Sequence, residues 1–283
     1  MSLTAAAEMI GAAYAAGRGV AAFNIIGLEH AEGIIAGAEV AGTGVVLQIS
    51  ENCAVYHSSL APIGTAVLAA ARVATVPLAV HLDHATSAEL VREAVALGFS
   101  SVMYDASALP YADNVRATAD VAAWCHDRDV FVEAELGAIG GKDGVHAPGA
   151  RTDPAEAAEF VRLTGVDALA VAVGSSHAMQ TRDAVLDLGL VRRIRLAVPV
   201  PLVLHGSSGV PDDALCAAIA AGLTKINIAT RLNEVFTAAV RDRLVADDGV
   251  TDPRRYLIAG RDAVAAEVSR LLGMLRADAG SLV

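Results

Sequence analysis

The sequence predicts an α/β fold, a single (β/α)8 TIM barrel that spans residues 1–283 as one domain. Three observations support this prediction. Eight short, β-branched apolar runs alternate with longer Ala-rich amphipathic segments, and repeated strand–helix alternation is typical of such a barrel. Most of the runs are apolar on both faces, as expected of parallel strands covered by helices. The chain, with 54% hydrophobic residues, is also long enough to bury one large core.

The predicted strands are at 20–23, 45–49, 78–82, 101–104, 130–133, 168–173, 202–204 and 225–229. Helices are expected between them, for example at 30–41, 87–97, 113–126, 154–164 and 211–221. Pro154 and Pro211 stand where a first helical turn tolerates proline. A doubly wound open sheet is the alternative, but it normally has a glycine-rich phosphate turn after its first strand, and residues 23–27 lack one.

Composition and charge exclude several classes of partner. The chain has 32 acidic and 21 basic residues, a net charge of −11, so neither a nucleic-acid nor a membrane partner is expected. The apolar segment 63–80 contains Arg72 and Pro77 and is expected to form a helix and a buried strand. Cys53, Cys125 and Cys216 form no CxxC motif, and no secretory signal is visible. We therefore expect a cytoplasmic protein.

Polar side chains follow nearly every predicted strand, which is where barrel enzymes place their chemistry. Four of the eight histidines, His81, His84, His177 and His205, lie at or next to predicted strand ends. Three imidazoles from separate loops would suit a zinc ion with one open position. A single histidine at a strand end is more often only a hydrogen-bonded polar residue, and the spacing matches no short metal motif. Both interpretations stay open at this point.

The loops after the seventh and eighth predicted strands are a separate signal. The first reads His-Gly-Ser-Ser-Gly over 205–209, and the second reads Asn-Ile-Ala-Thr over 227–230. Ordinary helix capping would explain either loop alone. The position of both after the last two strands favours a phosphate site. The glycine-rich segment 137–152 is expected to be an active-site loop.

Five motifs then carry a family resemblance. The chain closely resembles the class II, zinc-dependent ketose-bisphosphate aldolases, which include fructose- and tagatose-bisphosphate aldolases. The resemblance extends over roughly residues 24–260 and rests on His-Leu-Asp-His at 81–84, Val-Glu-Ala-Glu-Leu-Gly at 132–137, Gly-Ser-Ser-His at 174–177, Leu-His-Gly-Ser-Ser-Gly at 204–209 and Lys-Ile-Asn-Ile-Ala-Thr at 225–230.

The resemblance implies roles for individual residues. One catalytic Zn²⁺ would be held by His84, His177 and His205, and Asp83 would donate a proton to the aldehyde oxygen. Asp105 and Glu135 match positions that hold a second or displaced metal ion, so a second divalent or a monovalent cation is also implied. Residues implied to bind the substrate or its phosphate are Asn24, Ser50, Ala178, Gly206, Ser207, Ser208, Asn227, Ile228, Ala229 and Thr230.

The implied reaction belongs to glycolysis and carbohydrate metabolism. A phosphorylated ketose, by default fructose 1,6-bisphosphate, would be cleaved reversibly to dihydroxyacetone phosphate and an aldehyde such as glyceraldehyde 3-phosphate. The path would run through a zinc-stabilised enediolate. The resemblance also implies a homodimer or homotetramer.

Three departures from the family pattern bear on the substrate and the base. Ala178 replaces a glycine after the second zinc histidine. The loop at 140–144 lacks the usual Glu, so Asp143 is the nearest substitute base. Ile258 stands where the family has an arginine for the distal phosphate, and Arg255 or Arg261 would have to compensate.

These departures keep other functions open. The substrate could be tagatose 1,6-bisphosphate or a phosphoketose without a distal phosphate. A non-catalytic phosphosugar-binding barrel is a further alternative. A Schiff-base aldolase on the same fold would need a lysine at the barrel mouth, and Lys225 is the candidate, because Lys142 lies in the loop.

Overall fold

Eight parallel strands form a closed barrel in which each strand pairs with the next along the chain and the eighth pairs with the first. The structure is a computed structural model that describes residues 2–136, 151–175 and 181–277. The strands are β1 Val20–Asn24, β2 Val45–Ser50, β3 Leu78–Ala85, β4 Ser101–Tyr104, β5 Phe131–Glu135, β6 Ala168–Ala170, β7 Leu202–Leu204 and β8 Leu223–Ile228. The predicted barrel is confirmed, and the open sheet is wrong.

Helices cover the outside of the barrel and, at one end, its base. They are α1 Ala6–Ala15, α2 Leu28–Ala41, α3 Glu51–Tyr56, α4 Leu60–Val73, α5 Ala88–Leu97, α6 Tyr111–His126, α7 Pro154–Thr164, α8 Leu188–Ala197, α9 Asp212–Ala221, α10 Thr230–Ala246 and α11 Arg254–Ala277. A 3-10 helix lies at Ser207–Gly209. Among the described residues, none of the helices combines the length and the apolar character that a membrane span requires.

Several predicted strand bounds are wrong, and the polar residues explain most of the errors. β5 continues to Glu135, so Glu133 lies within the strand rather than at its end. β8 begins two residues before Lys225, and β6 ends three residues earlier than predicted. Polar side chains usually indicate a strand end, but here β5 and β8 direct them into the barrel. Beyond β6 the chain still pairs locally, because Val171 N donates to Val203 O at 3.1 Å.

The lower part of the barrel interior is apolar and closed. Inward side chains of the strands pack on α1, which covers the base; the buried residues of this cluster are Ala6, Ile10, Ala13, Val20, Ala22, Val46, Ala79, Met103, Phe131, Ala168, Ala170 and Val203. Burial of each large aliphatic side chain stabilises the fold by about 1.5–3 kcal/mol. Because α1 covers the base, the opposite end of the barrel, formed by the carboxyl ends of the strands, is where a ligand can enter.

Helix α11 packs against α2 at a distance that only glycine permits. A Cβ atom on Gly33 would lie 2.6 Å from Arg261 O, and one on Gly37 would lie 2.5 Å from Ala265 O. Both glycines are in α2, four residues apart, and so share one face of that helix. This close contact holds the C-terminal helix against the barrel wall.

The close contact makes a stability prediction with an internal control. Gly37→Ala should lower the free energy of unfolding by about 2 kcal/mol, because the new methyl group overpacks against backbone. Gly11→Ala, in α1, adds a Cβ that meets no atom within 4 Å. It should raise stability by up to about 1 kcal/mol through helix propensity. Urea unfolding of both variants measures the difference, and equal midpoints would contradict the packing described here.

Candidate active site

Asp83 and His84 share one site because β3 is irregular at its carboxyl end. Adjacent residues of a regular strand point to opposite faces. The register between β3 and β4 shifts between Leu82 and Ala85, and His84 adopts a φ of 51°. This left-handed conformation is rare for a residue with a side chain, and it costs about 1–3 kcal/mol. The irregularity brings Asp83, His84 and His205 together, with one possible ligand atom from each lying within 4.8 Å of the others.

His84 is also the centre of a carboxylate cluster. Its Nδ1 lies 3.0 Å from Asp105 Oδ2 and 4.0 Å from Glu135 Oε2. Burial lowers the pKa of His84, but the neighbouring carboxylates of Asp83, Asp105 and Glu135 outweigh it and raise that pKa to about 9. The Ser107 hydroxyl donates to Asp105 Oδ1 at 2.6 Å. His84, Asp105 and Glu135 also place one ligand atom each within 4.8 Å, which suits the predicted second metal position.

Asp83 is a buried carboxylate with one oxygen held and one oxygen open. Asn24 Nδ2 donates to Asp83 Oδ2 at 2.8 Å, and Gln48 Nε2 donates to Asn24 Oδ1 at 3.0 Å. Asp83 Oδ1 is buried and has no hydrogen-bond partner among the described residues. Burial raises the pKa of Asp83, but the positive charges of His84 and His205 outweigh burial and lower it overall. Asp83 is therefore an ionised group that can accept a proton.

A second carboxylate lies deeper in the barrel. Glu133 is fully buried; its Oε2 accepts from Lys225 Nζ at 2.8 Å, and its Oε1 lies 3.0 Å from His205 Nε2. Lys225 is also fully buried, so no substrate carbonyl reaches it without breaking this ion pair. The Schiff-base alternative therefore has no support in the geometry.

The loops after β7 and β8 are joined to each other. Gly206 adopts a φ of 68°, which glycine tolerates, and it opens the 3-10 helix. The Ser207 hydroxyl donates to Asn227 O, and Arg231 N donates to Ser208 Oγ at 3.2 Å. The two loops predicted to bind phosphate thus form one surface at the barrel mouth.

Helix α10 presents its N-terminus at this surface. It begins at Thr230, and Ala229 at the N-cap position provides no side-chain hydrogen bond. A helix N-terminus favours an anion through its amide groups and its dipole. The Ile228 side chain is buried, so only its backbone is available to a ligand. This arrangement agrees with the predicted phosphate role.

Other predicted residues have different positions from those expected. His81 is not at a strand end but inside the barrel, where its Nδ1 lies 2.6 Å from Ser101 Oγ and burial lowers its pKa. Ser50 Oγ accepts from Cys53 N at 3.2 Å and so caps α3, although β2 and β3 pair Ser50 with Asp83.

Three predicted site residues lie outside the described residues; they are Asp143, His177 and Ala178. Gln48, which donates to Asn24 in the site, is not among the residues predicted from the sequence. The alternation of residues along β2 does not indicate which polar side chain of that strand reaches the site.

The two arginines expected to replace the distal-phosphate arginine are already paired at the surface. Ile258 is 46% exposed on α11. Arg255 lies 3.7 Å from Asp247, and Arg261 lies 3.3 Å from Glu32. Both guanidinium groups thus lie beside carboxylates in exposed ion pairs, which contribute little to stability.

Comparison with known proteins decides the family. The sequence profile described as fructose-bisphosphate aldolase class-II matches residues 4–279. The chain belongs to this family. The prediction of a class II aldolase, a lyase, is therefore confirmed.

Individual relatives agree with the family result. The chain is 41% identical over 272 residues to a fructose-bisphosphate aldolase of Geobacillus stearothermophilus, covering 95% of each chain. A Staphylococcus aureus (strain Mu50) enzyme of the same name is 40% identical over 268 residues, covering 93% of this chain and 94% of that one.

Solved structures agree with this class II aldolase assignment. The crystal structure of the YdjI aldolase from Escherichia coli K12 matches with a TM-score of 0.86 and 33% identity, covering 98% of each chain. A putative fructose-1,6-bisphosphate aldolase from Coccidioides immitis matches with a TM-score of 0.83 and 29% identity, covering 97% of this chain and 96% of that one.

Class II aldolases are generally metal-dependent, and the described residues fit a metal ion. Two imidazoles and several carboxylates converge, which is a donor set that zinc accepts. Asp83 belongs to the same cluster, and its buried Oδ1 has no hydrogen-bond partner among the described residues. An ion there would offset the negative charge that Asp83, Asp105 and Glu135 concentrate at the barrel mouth.

The metal assignment leads to a direct prediction. His205→Ala should abolish stoichiometric zinc binding, because it removes one of the converging imidazoles. His126→Ala is the matched control, since His126 is a half-exposed histidine on α6 paired with Asp167. It should keep one zinc per chain. Metal analysis after dialysis measures both, and a full zinc content in the His205→Ala protein would contradict the assignment.

Proposed function

We propose that this class II aldolase reversibly cleaves a ketose 1,6-bisphosphate, by default fructose 1,6-bisphosphate, to dihydroxyacetone phosphate and glyceraldehyde 3-phosphate. The observation that carries the proposal is the convergence of Asp83, His84 and His205. Next to it in the barrel, Ser207 and Asn227 connect the two predicted phosphate loops. The names of the relatives at 41% and 40% identity support the choice of substrate.

The proposed metal is a catalytic zinc ion held by His84, His177 and His205. Asp105 and Glu135, with His84, are proposed to hold a second or displaced cation. When bound, the zinc supplies Lewis-acid polarisation of the substrate carbonyl. The arrangement of His84 and His205 supports this proposal, because their ring centroids lie 4.6 Å apart beside the β3 irregularity.

Asp83 is proposed to move the proton that makes carbon–carbon cleavage possible. In the cleavage direction, its open Oδ1 accepts the proton of the hydroxyl group on the carbon that becomes the aldehyde. The carbon–carbon bond then breaks, and the electron pair stays on the dihydroxyacetone phosphate half as an enediolate. In the condensation direction, Asp83 returns the same proton to the aldehyde oxygen. Asn24 holds the other carboxylate oxygen in place.

Phosphate binding is proposed at the connected β7 and β8 loops. The backbone of Gly206 and the N-terminus of α10 supply amide groups, so the site needs no lysine. The residues proposed to contact the substrate or its phosphate are Asn24, Ser50, Ala178, Gly206, Ser207, Ser208, Asn227, Ile228, Ala229 and Thr230. Local dipoles and the zinc ion would thus attract a phosphosugar to a chain whose net charge is −11.

Asp143 is proposed to give the enediolate its carbon-bound proton in the cleavage direction, which yields dihydroxyacetone phosphate, and to remove that proton in the condensation direction. It is the carboxylate of the 140–144 loop segment. Its role is independent of that of Asp83, which handles the hydroxyl proton.

A ketose without a distal phosphate is the second candidate substrate. The presence of Ile258 where the family has an arginine favours it, and in this chain Arg255 and Arg261 lie beside the carboxylates of Asp247 and Glu32. Tagatose 1,6-bisphosphate is a third choice within the same reaction class.

The proposed enzyme is a cytoplasmic single-domain protein that works as a homodimer or homotetramer. Cys53, Cys125 and Cys216 are buried and form no disulfide among the described residues, which suits a reducing compartment. Burial raises the pKa of Cys53 and of Cys125 to about 11, so both stay protonated and unreactive.

The reaction is tested by metal removal. EDTA should abolish cleavage of fructose 1,6-bisphosphate in an assay coupled to dihydroxyacetone phosphate, and added zinc should restore it. The same assay with tagatose 1,6-bisphosphate and a ketose 1-phosphate ranks the substrates. Full activity in the metal-stripped protein would overturn the zinc mechanism. Tight phosphosugar binding without any cleavage would indicate the non-catalytic barrel.

The role of Asp83 is tested by truncation. Asp83→Ala should keep its zinc but lose turnover by roughly 10²-fold or more, as expected when a general acid–base group is removed. Asp127→Ala, which removes an exposed carboxylate at the end of α6, should be unchanged. Steady-state kinetics together with metal content measure the effect. Near-normal turnover in Asp83→Ala would rule out the proposed proton transfer.

A further inference from the structure

We propose that Glu133 and Lys225 are positioning residues that fix which nitrogen of His205 faces the metal ion. This inference rests on the proposed function, since it assigns His205 to the metal. It concerns the buried ion pair that the proton transfers do not use. Neither residue is proposed to touch the substrate.

The Glu133 carboxylate connects the two partners through separate oxygens. Oε1 lies 3.0 Å from His205 Nε2, and Oε2 lies 2.8 Å from Lys225 Nζ. Glu133 and Lys225 are fully buried, and His205 is 2% exposed. The three side chains come from β5, β8 and the end of β7, so the contact spans the barrel interior. No shift of one side chain alone preserves both contacts.

This contact determines the tautomer of the imidazole. An ionised carboxylate accepts hydrogen bonds only, so His205 must carry its proton on Nε2 to bond Glu133. Nδ1 then keeps its lone pair for a metal ion. A carboxylate bonded to the rear nitrogen also makes an imidazole a better metal donor.

The ring of His205 is restrained by two further neighbours. Its centroid lies 4.6 Å from that of His84 in an edge-to-face contact with an interplanar angle of 71°. Asn227 Nδ2 lies 3.1 Å from His205 Nε2 and 3.4 Å from its Nδ1, while Asn227 Oδ1 is buried without a hydrogen-bond partner among the described residues. Because two N–H donors do not bond each other, a proton on Nε2 requires the amide to turn its oxygen toward the ring, which also gives Oδ1 a donor. Glu133, His84 and Asn227 therefore all limit rotation of the ring.

Lys225 is needed because a carboxylate cannot be buried here without a counter-ion. A buried charge that loses its partner is strongly destabilising. Among the described residues, His81 Nε2 also lies near Glu133 Oε2, but at 3.9 Å it is too far for a hydrogen bond. The ammonium group of Lys225, at 2.8 Å, thus supplies the hydrogen bond and the counter-charge for the carboxylate beside His205. This explains why one of the two lysines of the chain is fully buried.

Two double variants separate positioning from a structural role. Glu133→Leu/Lys225→Met replaces the ion pair with apolar groups, a change that is often neutral for stability. Glu133→Gln/Lys225→Met has the same methionine but keeps an oxygen that can accept from His205 Nε2. Because both contain Lys225→Met, they differ only in the acceptor at position 133.

We expect the Glu133→Leu/Lys225→Met protein to unfold near the wild-type temperature but to bind zinc roughly 10- to 100-fold more weakly, measured by chelator competition. Its cobalt-substituted form should have a changed visible spectrum. The Glu133→Gln/Lys225→Met protein should recover most of the affinity. Wild-type zinc affinity and an unchanged cobalt spectrum in both double variants would overturn the proposal.

The proposal can also be tested on the unaltered protein, so that it stays testable if the double variants do not fold. In zinc-loaded protein labelled with nitrogen-15 histidine, His205 should have an exchange-protected proton on Nε2. A proton on Nδ1 would overturn the proposal. The proposed function fails separately, if the unaltered protein neither binds zinc nor cleaves a phosphoketose. A wild-type protein that does both while the double variants match it would reject only the role of Glu133 and Lys225.

Discussion

A charge buried inside a closed barrel is the constraint on which the site depends. Glu133 lies within β5, above the apolar layer that α1 closes. Removing it from water is unfavourable unless each oxygen has a partner, and Lys225 and His205 supply them. Strands β5, β7 and β8 are thereby coupled through side chains as well as through their backbone ladders. The two contacts of Glu133 thereby restrain the side chain of His205, which is proposed to hold the metal ion.

The irregularity of β3 adds what a regular barrel cannot provide. Regular alternation would send either Asp83 or His84 away from the mouth, yet both belong to one cluster. The left-handed backbone conformation of His84 is unfavourable, but it allows two adjacent residues to present their side chains to the same cluster. In the proposed mechanism the two groups divide the chemistry, with the imidazole holding the metal and the carboxylate moving the proton. Asn24 and Gln48 extend the same network to β1 and β2.

The sequence alone predicts much of this arrangement, and the failures have physical causes. The strand–helix alternation indicated the closed barrel, and the motifs around His84 and His205 indicated the family, because both patterns are local. The Glu133–Lys225 pair joins residues 92 positions apart, so no local pattern reveals it. Polar residues usually indicate a strand end, and that rule misplaced Glu133 and also put His81 at the mouth. No feature of the amino-acid sequence around His84 indicates that this residue adopts a positive φ.

We propose that His84 and His205 are preorganised to hold a catalytic zinc ion beside the open oxygen of Asp83. Anomalous diffraction at the zinc edge from zinc-loaded crystals would locate that ion. We expect one strong peak at about 2.0–2.1 Å from a nitrogen of each histidine, with Nδ1 as the donor of His205. A peak bound only by Asp105 and Glu135, or no peak at the barrel mouth, would contradict it.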